Sequence, residues 1–159
     1  VMQKHGGTFI LKLFDCFMPH TIDILYILSS FYEKVYMIKP YTSRYANSEK
    51  YIVCKGFIYN SNSQFYSNLY KAFETMVSAP STSYISRFIS SPIPMHFLTK
   101  INEYNAVFGQ QQIENIYYTI TLIDNKQKPD KIEALVRNNV QKSQFWCTKN
   151  KLPYVQLYI

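Results

Sequence analysis

The sequence predicts an α/β fold. A small sheet of parallel strands with one antiparallel strand occupies residues 1–59, and a mainly helical extension packed on it occupies residues 60–159. Three observations carry this. Short runs of β-branched and aromatic residues (8–14, 35–39 and 50–58) fall in the first part of the chain. A stretch with helical apolar spacing separates the first two runs. Beyond Asn60, apolar residues recur mainly at three- and four-residue intervals.

Gly6-Gly7 precede the first run, TFILKLF, which has strand length. The segment PHTIDILYILSSFYEK then reads as a helix. Ile22, Leu25, Tyr26, Leu28 and Tyr32 share helical spacing, and Pro19 suits a first-turn position. VYMIK is a second strand, stopped by Pro40, and YTSRYANS is a polar, turn-rich loop. In the third strand, KYIVCKGFI, Tyr51, Val53 and Lys55 alternate with Ile52, Cys54 and Gly56.

A helical connection between the first two strands implies a right-handed crossover, so both should run parallel in one sheet. The loop before the third strand is too short for another crossover, and that strand should return antiparallel. Its start then lies beside the ends of the other two. Connectivity alone directs Lys12, Lys39, Arg44 and Glu49 to this shared edge, where ligands of open α/β sheets bind.

Further along, SNSQFYSNLYKAFETMVSAP reads as a helix with Phe65, Leu69, Phe73 and Met76 on one face. SSPIPMHFLTKINEYNAVF should hold a short helix, while IENIYYTITLID is ambiguous between helix and strand. KPDKIEALVRNNVQKSQFWCTKNKLP reads as a helix with Ile132, Leu135, Val136, Val140 and Phe145 inward, and Trp146 is expected to pack. Core packing is likewise expected of Tyr84, Tyr104 and Tyr117, with stacking on a ligand as the alternative.

The chain has 159 residues, 47% of them hydrophobic, with 17 basic against 10 acidic side chains and a formal charge of +7. This is too apolar and aromatic for a disordered chain, and 4 glycines exclude collagen-like material. No apolar run approaches the roughly 20 residues of a membrane span, so no membrane partner is expected, and VMQKHGG has no signal-peptide core. Three widely spaced cysteines (Cys16, Cys54, Cys147) read as thiols in a reducing compartment, cytoplasmic or nuclear. His5, His20 and His96 are scattered, so no metal site is expected. The positive charge favours an anionic partner such as nucleic acid.

Lys12 is the most informative residue. It interrupts the apolar run Phe9-Ile10-Leu11-Lys12-Leu13-Phe14, where both faces of a parallel strand should be covered. An ammonium there must find a partner or a polar cleft, or else snorkel to solvent. Glu49, between Ser48 and Lys50, reads by itself as a solvated loop residue, and only its place at the same edge favours function.

These residues resemble a known family. GGTFILKLFD, a helix, and then KPYTSRYANSEKYIVCKGF are similar to the FtsJ-like (RrmJ-type) RNA ribose 2′-O-methyltransferases. The likeness is nearest to the cap-specific mRNA members, with their KP-x-x-SR-x-x-NSE-x-Y-x-VCKG hairpin, and it covers Gly6 to Phe57. It implies that residues 1–59 are the C-terminal half of a Rossmann-like S-adenosylmethionine-dependent methyltransferase sheet. The family uses a Lys-Asp-Lys-Glu tetrad, whose second lysine and glutamate correspond to Lys12 and Glu49.

The first lysine, the aspartate and a Gly-rich cofactor loop belong to segments expected before Val1, so the remainder of the same polypeptide is an expected partner. S-adenosyl-L-methionine would be bound mainly there, and no cofactor-binding residue is assigned in this chain. Lys12 would act as general base toward a ribose 2′-hydroxyl if its amine is partly neutral, with Glu49 orienting it. Lys39, Ser43, Arg44, Asn47 and Ser48 would bind the substrate through phosphate, ribose and base edges. Tyr41 and Tyr45 are read as local packing before base stacking. The expected partner is RNA, above all the capped mRNA 5′ end, and no metal is required. Abundant Tyr, Ile, Asn and Lys point to a viral source, with host cytoplasm or virion as the location. A reading from another class is a catalytically inactive RNA-binding module or partner subunit of a capping complex.

Overall fold

The structure, a computed structural model, describes residues 3–61 and 63–155. The chain runs β1 (Thr8–Leu13), α1 (Pro19–Phe31), β2 (Tyr32–Ile38), β3 (Lys50–Phe57), α2 (Ser63–Ser78), α3 (Met95–Asp124) and α4 (Pro129–Lys149). The three strands form one sheet in the order β1-β3-β2, and β3 is antiparallel to both neighbours. β1 and β2 therefore point the same way, as the helical crossover requires, but β3 lies between them.

Two boundaries differ from the sequence reading. Tyr32, expected in the helix, already has extended backbone and pairs with Phe57, so α1 passes into β2 without a loop. Buried Tyr32 and Phe57 pack ring to ring at 5.3 Å, and this contact fixes the strand start. The ambiguous IENIYYTITLID is helical and continues α3, which is 30 residues long. Extending an existing helix adds one hydrogen bond per ordered residue, whereas a separate strand would need a new pairing partner.

Alternation along the strands creates two unlike faces. Leu11, Ile52 and Met37 share one row, and Val35 pairs with buried Cys54 on the same side. This side meets Ile22, Leu25 and Leu28 of α1 and Phe97 and Ile101 of α3. Burial raises the pKa of both core thiols, Cys16 and Cys54. Ile10, Val53 and Tyr36 form a row on the opposite side, where Ile10 is 60% exposed. That side is open at Lys12, unlike the two-sided cover expected of the strand.

Gly56 belongs to the VCKG segment for a local reason. Its φ is +72°, and a Cβ there would lie 2.8 Å from the Glu33 carboxyl carbon.

A buried ion pair ties the segment after α2 to α1. Asp23, fully buried, accepts two bonds from Arg87 Nε (2.9 and 3.1 Å) and one each from the Phe88 and Ile89 N–H groups.

The chain divides into two compact units, Val1–Ile113 and Glu114–Ile159. This division lies further along than the change of composition after residue 59, because Phe65, Arg87 and Phe97 all contact the sheet or α1. In the second unit, Asp130 opens α4 and Lys149 closes it, each matched to the helix dipole. Ile132, Leu135, Val140 and Trp146 are half-buried, but Val136 and Phe145, expected inward, are exposed, Phe145 by 64%. The packing expected of Tyr84 and Tyr117 is also absent, since both are exposed, and Tyr104 is only partly covered. In α2, Leu69, Phe73 and Met76 share a face that is exposed. Apolar spacing identifies a helix face but not its cover.

Candidate active site

Strand register brings three strand ends together. Leu13 pairs with Lys50, Lys12 with Tyr51 from one side, and Ile38 with Tyr51 from the other. The last residues of β1 and β2 thus flank the first of β3, with Glu49 just before it.

Lys12 Nζ lies 2.9 Å from Glu49 Oε1. The lysine side chain is half-exposed on the open face, while the glutamate side chain is only 16% exposed. Tyr51 donates its hydroxyl to the same carboxylate oxygen at 2.8 Å, and Ser43 Oγ donates to Oε2 at 2.8 Å. Glu49 is therefore no solvated loop residue. Hydrogen bonds from Lys12, Tyr51 and Ser43, in that order, lower its pKa to about 2. The bond and charge of Glu49 raise the pKa of Lys12, and the same carboxylate raises that of Tyr51. The resting arrangement is an ammonium, a carboxylate and a neutral phenol.

The loop residues expected at this edge divide into two groups. Lys39 is bonded to the loop itself: its ammonium donates to Asn47 O (2.8 Å), Asn47 Oδ1 (3.2 Å) and Glu49 O (2.8 Å). Burial lowers its pKa, against the pull of Glu49. Asn47 Oδ1 also accepts the Glu49 N–H at 3.2 Å, and the Ser48 carbonyl accepts from Lys50 at 3.3 Å. Lys39, Ser43, Asn47 and Ser48 thus build the loop that presents Glu49. Arg44 and Tyr41 are exposed beside it, and Tyr45 is half-buried, so the packing expected of Tyr41 is not found.

Two residues of this constellation escaped the sequence reading, Tyr51 and Lys50. Strand alternation carries a signal for Tyr51, because positions 49 and 51 fall on one face. Lys50 has no such signal, since a lysine opening a strand ordinarily reaches water.

The turn between β1 and α1 contains no glycine, and its Cys16 is fully buried in the core.

The β-α-β-β unit thus carries a lysine–glutamate pair at its strand ends. Residues 2–57 match the family described as FtsJ-like methyltransferase. Among its relatives is the cap-specific mRNA (nucleoside-2′-O-)-methyltransferase 1 of Trypanosoma brucei brucei, 53% identical over 57 residues, which cover 36% of this chain and 15% of that protein. The Homo sapiens protein of that name is 53% identical over 53 residues (33% of this chain, 6% of that protein), and the Dictyostelium discoideum one 47% over 53 residues (33% and 7%). The chain thus spans a small fraction of these relatives' length. All three are from cellular organisms and lend no support to a viral source.

Proposed function

We propose that this chain is part of an RNA ribose 2′-O-methyltransferase acting on capped mRNA, with Lys12 as the general base and Glu49 as its orienting partner. The observation that carries the reading is the 2.9 Å contact between Lys12 and Glu49 at the strand ends of the FtsJ-like segment. Kinship with cap-specific mRNA methyltransferases supports mRNA as the substrate.

The methyl donor would be S-adenosylmethionine, held by other parts of the polypeptide. The residues of this chain serve the acceptor. A neutral Lys12 amine takes the proton of the 2′-hydroxyl as that oxygen becomes nucleophilic, and Glu49 holds the amine in line. Glu49 by itself raises the Lys12 pKa and so opposes this role. Added positive charge nearby is needed to offset it, and the family's first lysine is the group that the resemblance implies.

The test offers capped and uncapped RNA, with labelled methyl donor, to the full-length polypeptide and to its Lys12→Ala and Lys12→Arg variants. Labelling confined to capped RNA, abolished in both variants while donor affinity is kept, is the expected result. Arginine fails because a guanidinium keeps its proton near neutral pH. A fully active Lys12→Arg enzyme excludes Lys12 as the base. Equal labelling of uncapped RNA removes the cap-specific part of the reading, and no labelling of any RNA removes the reading itself.

A further inference from the structure

Lys50 is 3% exposed, and its bonded partners are main-chain carbonyls: Phe14 O at 2.8 Å and Ser48 O at 3.3 Å. Its ammonium also sits 5.8 Å from the centre of the Phe108 ring. An ammonium taken out of water is costly, and neutral carbonyls repay less than a carboxylate would. An apolar residue is the ordinary choice for a core-facing strand position. Lys50 is placed where a strut is useful. Phe14 lies two residues after Lys12, and Ser48 one residue before Glu49, so this ammonium joins the two segments that carry the pair.

Lys39 acts on the same loop from the β2 side. It holds the carbonyls of Asn47 and Glu49, while Lys50 holds the carbonyl between them. Three successive carbonyls, 47 to 49, are thereby fixed by two ammonium groups.

We infer that Lys39 and Lys50 are positioning residues, a two-lysine cradle that sets the backbone of residues 47–49 and so aims the Glu49 carboxylate at Lys12. The inference deepens the proposed function and rests on it for the catalytic consequence, but the positioning itself is independent of that reading. Lys39 moves from the substrate-contacting group, where its sequence position puts it, to the supporting structure.

Two measurements on the full-length protein test this. The first is competitive trace acetylation of Lys12 at neutral pH, which reads how strongly Glu49 holds the amine protonated. Lys39→Met and Lys50→Met should raise Lys12 reactivity toward the level of Glu49→Gln, by roughly tenfold per unit of pKa lost. Unchanged reactivity in both variants overturns the inference, whether or not the protein methylates RNA. The second is steady-state methyl transfer. Each variant should lower kcat with little change in KM for RNA, and combining either with Glu49→Gln should lose no more than Glu49→Gln alone. A raised KM with unchanged kcat would return Lys39 to substrate contact, and additive losses would make the lysines merely structural. Lys39→Met keeps the test valid if the buried Lys50→Met protein fails to fold. Absence of transfer in the unaltered enzyme counts against the proposed function alone, because the acetylation result still decides the cradle.

Discussion

Tyr51 reaches back along its own strand to Glu49. The phenol donates at 2.8 Å to Oε1, the carboxylate oxygen that also receives Lys12 at 2.9 Å. Glu49 lies just before β3 and Tyr51 is the strand's second residue, so two positions of one segment supply the carboxylate and one of its three donors. Tyr51→Phe removes one of three donors and keeps the ring. The Glu49 pKa should then rise from about 2 toward its ordinary 4.5. Methyl transfer should fall several-fold, much less than on loss of Lys12, because Lys12 and Ser43 still hold the carboxylate. Carboxyl NMR titration beside single-turnover assays checks both.

The same network sets an acid limit. The Glu49 pKa is lowered in the fold, so an unfolded chain takes up its proton at a higher pH than the folded one. The contribution of Glu49 to stability is therefore complete above about pH 4.5 and is lost as pH falls toward about 2. Asp23 adds to the trend in the same direction. Burial pushes its pKa up, but Arg87 and the Phe88 and Ile89 N–H groups outweigh that and hold it below the usual value. Urea unfolding followed through this range should show falling stability, with a shallower decline in Glu49→Gln. An identical decline in that variant would mean that Glu49 is not held as described.

The Asp23 clamp has its own consequence. Asp23→Ala leaves Arg87 without its partner and two N–H groups without an acceptor. The expected loss is about 3 kcal/mol, at the low end for a broken buried pair because Arg87 itself stays half in water. Arg87→Ala is no milder rescue, since it strands a fully buried carboxylate. Denaturant unfolding measures both, and a change below about 1 kcal/mol in each would show the clamp to be superfluous.

How much of this was legible in the sequence depended on the range of the interaction. Strand alternation and helix period identified all four elements of residues 8–57, and connectivity alone brought Lys12 and Glu49 to one edge. The insertion of β3 between β1 and β2 was not legible, because an antiparallel return can add at an outer edge or enter between strands. Lys39 and Asn47 look like solvent-facing polar residues of a loop, and only the folded loop shows Lys39 donating to its carbonyls and Asn47 Oδ1 accepting from Lys39 and the Glu49 N–H. Asp23 gives no hint of Arg87, which lies 64 residues away. Phe145 and Tyr117 fit an apolar helical period, yet period says nothing of whether another surface covers it.

Arg44 separates loop building from substrate binding. It is exposed in the loop that precedes Glu49, while Lys39, Ser43 and Asn47 are bonded within that loop. If RNA runs along this edge, Arg44 is free to meet a phosphate without disturbing Glu49. Arg44→Ala should weaken RNA binding, and the plot of log affinity against log salt should become shallower by about 0.7, the share of one phosphate contact to single-stranded RNA. At saturating RNA, kcat should stay close to that of the unaltered enzyme, because the catalytic pair keeps its geometry. Filter-binding titrations over a salt series, paired with rates at saturation, read both quantities. A lower kcat with an unchanged salt slope would instead assign Arg44 to the catalytic geometry and move the RNA path elsewhere.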